Sequence, residues 1–203
     1  MFQLLHGHPL DPCSERLRLT ELETCVESHQ MLITWRRGGQ DGHRSSVMSG
    51  SVRSAGLLPY RLHTDLEVLI AHPGGPWFEK RDEGSWSLVK GIVKEDEDDR
   101  EAAVREFEEE TGWAPPMSSW VHLGETTLKS RKVVVAWAVE SDFDLETFDP
   151  GTFSLYGREY PEIDRVGWMV PDRAREKLNP AQTVFVDRLE THLGLNGYEE
   201  VLG

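Results

Sequence analysis

The chain has 203 residues, enough for one domain with a core of its own. Asp and Glu number 36 against 22 Lys and Arg, a net charge of −14. Such a balance argues against a nucleic-acid or anionic-membrane binder, since both need a basic surface. No stretch approaches the ~20 apolar residues of a membrane span. A small phosphorylated ligand stays open, because metal ions can bring the missing positive charge.

Residues 1–51 read as an N-terminal extension. His6, His8, His29 and His43 fall there without ligand spacing. Cys13 and Cys25 are the only cysteines, too few for a disulfide framework. The start lacks the basic and apolar regions of a secretory signal, so a cytoplasmic protein is expected. Leu19, Leu22 and Val26 have the spacing of a short helix, and 36–51 is Gly- and Ser-rich like a linker. Met48, followed by a short polar lead, suggests that translation starts there and that 1–47 are not native.

From residue 52 to about 195 the pattern is that of one α+β domain, followed by a tail over 196–203. Ala55–Tyr60 and Leu66–His72 read as paired strands. Pro73-Gly74-Gly75-Pro76 is a loop. Trp86–Val89 reads as a short strand and Asp99–Thr111 as a helix. Val121–Leu128 and Val133–Val139 are strands, the second rich in β-branched residues. Residues 141–161 look irregular and acidic. Val166–Val170 is expected as a strand and Pro180–Leu193 as a closing helix, with Val184, Phe185 and Leu189 inward.

The helix over 99–111 carries the strongest chemical signal. Residues 95–110 hold ten carboxylates and two arginines, a local charge of −8. Part of this run has a local reason. Asp98 can cap the helix with Glu101 completing a capping box, and acids in the first turn suit the helix dipole. Glu106, Glu109 and Glu110 have no such reason. They lie in the last turns, where the dipole favours cations, and within about one 100° arc. Like charges so spaced repel and call for a counterion, and hard divalent cations take oxygen ligands of this kind. Arg105 can pin Glu109 four residues on, Val104 and Phe107 can anchor the helix to the core, and Gly112 can end it.

Residues 91–113, GIVKEDEDDREAAVREFEEETGW, resemble the Nudix box, G-x5-E-x7-R-E-U-x-E-E-x-G-U with U apolar. The matching residues are Gly91, Glu97, Arg105, Glu106, Phe107, Glu109, Glu110, Gly112 and Trp113. The resemblance implies an α/β/α sandwich around a mixed sheet. It implies Mg²⁺ (or Mn²⁺) on Glu106, Glu109 and Glu110, joined by the Gly91 carbonyl. Arg105 would orient a helix glutamate and Glu97 would fix the loop–helix geometry. The implied reaction is attack of water on a phosphorus of a nucleoside diphosphate joined to another group. Glu106 and Glu162 are the candidates for general base, with Glu159 behind them.

The substrate is less sharply marked. Trp86-Ser87-Leu88-Val89-Lys90-Gly91 resembles the W-x-x-P-K-G segment of dinucleoside tetraphosphate hydrolases, with Val89 in the place of proline. Lys90, Lys132 and Arg158, with Lys129 and Arg131, are candidates for phosphate contacts. Trp86, Trp77 and Tyr156 are candidates for stacking on a base. A nucleoside polyphosphate is the expected substrate, in its most concrete form diadenosine tetraphosphate cleaved asymmetrically. The alternatives are conversion of nucleoside triphosphates to monophosphate and pyrophosphate, and a nucleotide-sensing module without turnover. No nucleic-acid or membrane partner is expected, and the oligomeric state is left open.

Overall fold

A computed structural model describes residues 52–117 and 119–195. The readings made for the N-terminal extension and the tail lie outside them. Among the described residues eight strands form, in chain order: β1 (Arg53–Leu62), β2 (Leu66–Pro73), β3 (Val89–Ile92), β4 (Val121–Thr127), β5 (Val133–Glu140), β6 (Thr152–Leu155), β7 (Arg158–Pro161) and β8 (Ile163–Met169). Three α-helices accompany them: α1 (Asp99–Thr111), α2 (Pro171–Lys177) and α3 (Thr183–Leu193).

The main sheet has the order β4-β5-β1-β2-β8. β1 is central and pairs in parallel with β5, while the other pairs are antiparallel. The opposite edge of β1 is shared: Ser54–Leu57 pair with β3 and Tyr60–Leu62 with β2. Pro59, with no N–H to give, sits between those two registers, where a proline costs least.

Strict alternation sends the core two ways. Ala55, Leu57, Leu69, Ala71 and Val135 pack on one face with Ala102, Ala103 and Phe107 of α1. Leu58, Tyr60, Val68, Ile70, Val134, Ala136 and Ala138 pack on the other with Ala174, Leu178, Phe185, Val186 and Leu189. The result is three layers, α1 on one side and α2 and α3 on the other.

Several expectations need correction. Trp86 and Ser87 form only isolated bridges, and the strand at this point is β3. The region read as irregular contains a 3₁₀ turn over Leu145–Thr147 and a separate hairpin, β6–β7. Helix α2 was not foreseen. The closing helix begins at Thr183 after a 3₁₀ turn, and it buries Val186 as well as Phe185 and Leu189, with Val184 partly buried against the same core. Val104 is only partly buried, so Ala102, Ala103 and Phe107 do the anchoring.

Candidate active site

Helix α1 is fixed at both ends. Asp98 accepts from the N–H groups of Arg100 and Glu101 while Glu101 reaches back to the Asp98 N–H, a complete capping box. Arg53 of β1 forks onto Asp99 at 2.7 and 2.6 Å, tying the helix start to the central strand. At the other end Gly112 adopts φ 76° and donates to the Glu108 carbonyl. Beyond it the Trp113 ring stacks on Phe143 with centroids 4.9 Å apart, and the Asp149 N–H bonds the Thr111 carbonyl. These contacts bring the 143–151 segment against the last turn of α1.

The carboxylates gather on the side of α1 that meets β3 and this segment. Glu106 is 5% exposed. A side chain at Gly91 would land 1.9 Å from the Glu106 carboxyl carbon, so the absence of one is what lets β3 lie against that carboxylate. Burial pushes the Glu106 carboxyl up, against the opposing charge of Arg105. Glu110 accepts the Lys90 N–H at 3.2 Å. Its carboxyl is raised well above the usual range, by burial first and then by the Glu106 charge, with Glu162 adding to the same effect and Lys90 opposing it. The Glu162 Oε2 lies 3.1 Å from where a Cβ on Gly151 would be, and Gly151 in turn packs on the Glu109 carbonyl at the end of α1.

Arg105 organises the rest. It forks onto Glu97 at 2.7 and 2.8 Å, donates to Glu106 at 2.6 Å and to the Ile92 carbonyl at 3.0 Å, and reaches Glu109 at 3.4 Å. The Glu97 carboxyl is held low, chiefly by Arg105, and accepts the Lys94 N–H as well. The expected pin on Glu109 is thus the longest of several bonds, and Arg105 is anchored mainly to the loop before the helix.

Among the described residues no three of His, Cys, Asp and Glu converge as ligands already gathered on one metal ion. Glu106 and Glu109 are turned to Arg105, and Glu110 to the backbone of Lys90. The donor set still fits a hard divalent cation. Glu106 and Glu110 are carboxylates held close together against their mutual repulsion, Glu109 lies on the same helix end, and the carbonyl-bearing glycine adjoins Glu106.

The remaining candidates divide. Lys90 is at the site. Arg158 is exposed at the turn of the β6–β7 hairpin, whose second strand runs directly into Glu162. Glu159 is exposed within that strand. Trp86 is buried in the core under α2 and α3, on the face opposite α1, where its ring N–H donates to Asp82 at 2.9 Å; no face of it is presented for stacking. Lys132 is buried in the β4–β5 turn, next to the Val133–Arg53 pair at the starting end of α1 rather than its last turn. Sequence reasoning passed over Gly151, Gly74 and Lys94. Gly151 packs against the Glu109 carbonyl, Gly74 donates to the Glu162 carbonyl at 2.9 Å, and Lys94 lowers the Glu106 carboxyl. The two glycines each follow a proline, a signal of tight backbone that was available in the sequence.

Comparisons with known proteins agree with this geometry. No curated protein matches the chain in sequence. Among solved structures, an Ap4A hydrolase of C. elegans in a binary complex is 20% identical, with a TM-score of 0.53 over 70% of this chain and 98% of that one. The NUDIX domain of Shewanella oneidensis NrtR, complexed with ADP ribose, is 15% identical, with a TM-score of 0.52 over 79% of this chain and 97% of that one. At such identities the likeness is one of fold. The model of the NUDIX domain matches residues 50–189, most of the chain and every element just described except the last four residues of α3. The chain belongs to the Nudix family.

Proposed function

We propose that this Nudix hydrolase cleaves a phosphoanhydride bond of a nucleoside polyphosphate, with asymmetric hydrolysis of diadenosine tetraphosphate as the leading reaction. The observation that carries the proposal is the gathering of Glu106 beside Gly91 and Glu110 beside the Lys90 N–H, with Glu109 on the same helix end and Glu162 beside Gly151, which packs on that helix end. Carboxylates packed this closely suit a reaction in which a dication and a polyanion meet. The two neighbours of like fold were crystallised as an Ap4A hydrolase and with ADP ribose, both nucleotide systems.

Glu106, Glu109 and Glu110, with the Gly91 carbonyl, would hold the metal, taken here as Mg²⁺. Bound there, it would neutralise charge on phosphate oxygens and acidify water. We take Glu162 as the group that receives the proton of the attacking water, because it comes from a separate part of the chain and its charge acts on Glu110. Arg105 keeps the helix carboxylates in register with the loop through its fork onto Glu97. Lys90 supplies positive charge to incoming phosphate, and Arg158, carried on the hairpin, is a second such group further out.

The test is a mass-spectrometric product assay of the wild type and Glu109→Gln in Mg²⁺. Diadenosine tetraphosphate, nucleoside triphosphates and ADP-ribose are offered in parallel. Release of ATP and AMP from the first, reduced by orders of magnitude in the variant, is expected. Faster release of pyrophosphate from a triphosphate would move the assignment to triphosphate clean-up. Binding with no turnover of any of them would replace hydrolysis by sensing.

A further inference from the structure

On the opposite side of Glu162 from α1 lies a buried polar cluster that this chemistry does not use. His72, near the end of β2, has no exposed surface, yet both ring nitrogens have oxygen partners. Nδ1 is 2.6 Å from Asp164 Oδ1 and Nε2 is 2.8 Å from the Arg81 carbonyl. A carbonyl oxygen can only accept, so Nε2 carries a proton. The carboxylate contact requires a second proton between Nδ1 and Asp164. Phe78 and Trp86 wall the ring edge-on. The surrounding charges are Arg165, 3.3 Å from Asp164, and Asp82, which bonds Trp86 and Lys177.

Asp164 is itself the irregular residue of the sheet. Pairing runs from His72 with Arg165 to Pro73 with Ile163, so Asp164 is skipped as a bulge. A bulge re-aims the side chains on one side of it. Val166 and Trp168 pack towards α1, and Ile163 does too, although strict alternation would turn it away. The residue before Ile163 is Glu162. Its N–H donates to the Gly151 carbonyl at 2.8 Å and its carbonyl accepts from Gly74, two residues past His72.

We infer that His72 is a positioning residue for Glu162: by clasping the Asp164 bulge to the Arg81 end of the 74–85 loop, it fixes the backbone from which Glu162 projects. The inference rests on the reading of Glu162 as the base. The clasp has a physical reason to matter. Its loss leaves two oxygen acceptors and a bulge without a fixed partner. A displacement of about 1 Å at a reacting group costs on the order of 100-fold in rate.

Two measurements test it. In the wild type, ¹H NMR is expected to show one slowly exchanging proton shared in the His72–Asp164 contact and one on the His72 Nε2 towards the Arg81 carbonyl; loss of the shared proton signal overturns the clasp. Asp164→Ala, Asp164→Asn and Glu162→Gln are then compared on diadenosine tetraphosphate with Mg²⁺, together with amide exchange at Gly74 and Glu162. Asp164→Ala should lower kcat by ~10–100-fold with KM little changed and speed exchange at both amides. Asp164→Asn, which keeps an acceptor for Nδ1, should recover part of both effects. Wild-type kcat or unchanged exchange in Asp164→Ala, beside an inactive Glu162→Gln, refutes the positioning role and leaves the base in place. Full turnover by Glu162→Gln removes the base itself, and the inference goes with it. Should Asp164→Ala fail to fold, Asp164→Asn and the wild-type ring protons decide.

Discussion

Helices α1 and α3 cover opposite faces of one sheet and are held there by different means. α3 buries Phe185, Val186 and Leu189 completely, in a core with hardly any charge. α1 buries two alanines, one phenylalanine, a threonine and a glutamate, and it is secured by a capping box and by arginines from β1 and from within its own sequence. The contrast separates two tasks. Apolar area on the α3 face holds the sheet together, which lets the α1 face carry a group of repelling carboxylates that contributes little to folding.

If that division is right, the two faces respond differently to substitution. Phe185→Ala should cost about 3–5 kcal/mol of stability, read from urea unfolding, while the folded fraction keeps its turnover rate. A loss below ~1 kcal/mol would mean that the α3 face is not the one that holds. Gly91→Ala should do the reverse: the new methyl group displaces the Glu106 carboxyl, a flexible side-chain end, so turnover falls by about 100-fold with a much smaller change in unfolding midpoint. Asp98→Ala removes the cap shared by two N–H groups and should cost ~1 kcal/mol, sharpening the claim that polar bonds secure α1.

The smallest effect belongs to Asp82 on the α3 side. Lys177, and then the Trp86 N–H, hold its carboxyl below the usual range. Its contribution to stability is complete above the ordinary carboxylate pKa of about 4 and disappears as pH falls through the lower folded value. Asp82→Asn should therefore narrow the gap in urea midpoint between about pH 5 and pH 2. An unchanged gap would assign the acid loss to other carboxylates.

The sequence discloses features set by near neighbours and conceals those set by pairing. The capping box, the Gly112 stop and the fork-bearing Arg105 belong to a single local segment, and their spacing is visible in it. The residue types of Trp86 and Lys132 suited substrate binding. Long-range packing decided otherwise: Trp86 is buried on the face opposite α1, and Lys132 lies in the β4–β5 turn beside the start of that helix. The Asp164 bulge has no local signature at all. It exists only as a mismatch between two strands far apart in the chain. The β6–β7 hairpin was hidden by its four-residue strands, too short for alternation to stand out. Helix α2 did carry signals, Pro171 at its first position and Arg175 and Lys177 in its last turn, but seven residues give periodicity little to work on.

The parallel pairing of β1 with β5 has a consequence in time. During synthesis Arg53 through Tyr60 emerge long before Val133 through Glu140, and β2, β3, α1 and β4 all leave the ribosome in between. Until β5 arrives, the most buried strand of the domain has an open edge, and its hairpin with β2 must survive as a marginal pair. Long-range pairing of this kind is slow to form. The nascent chain thus passes its most aggregation-exposed interval with the carboxylate-rich segment 95–110 already synthesised, and that surplus negative charge repels other unfinished copies meanwhile.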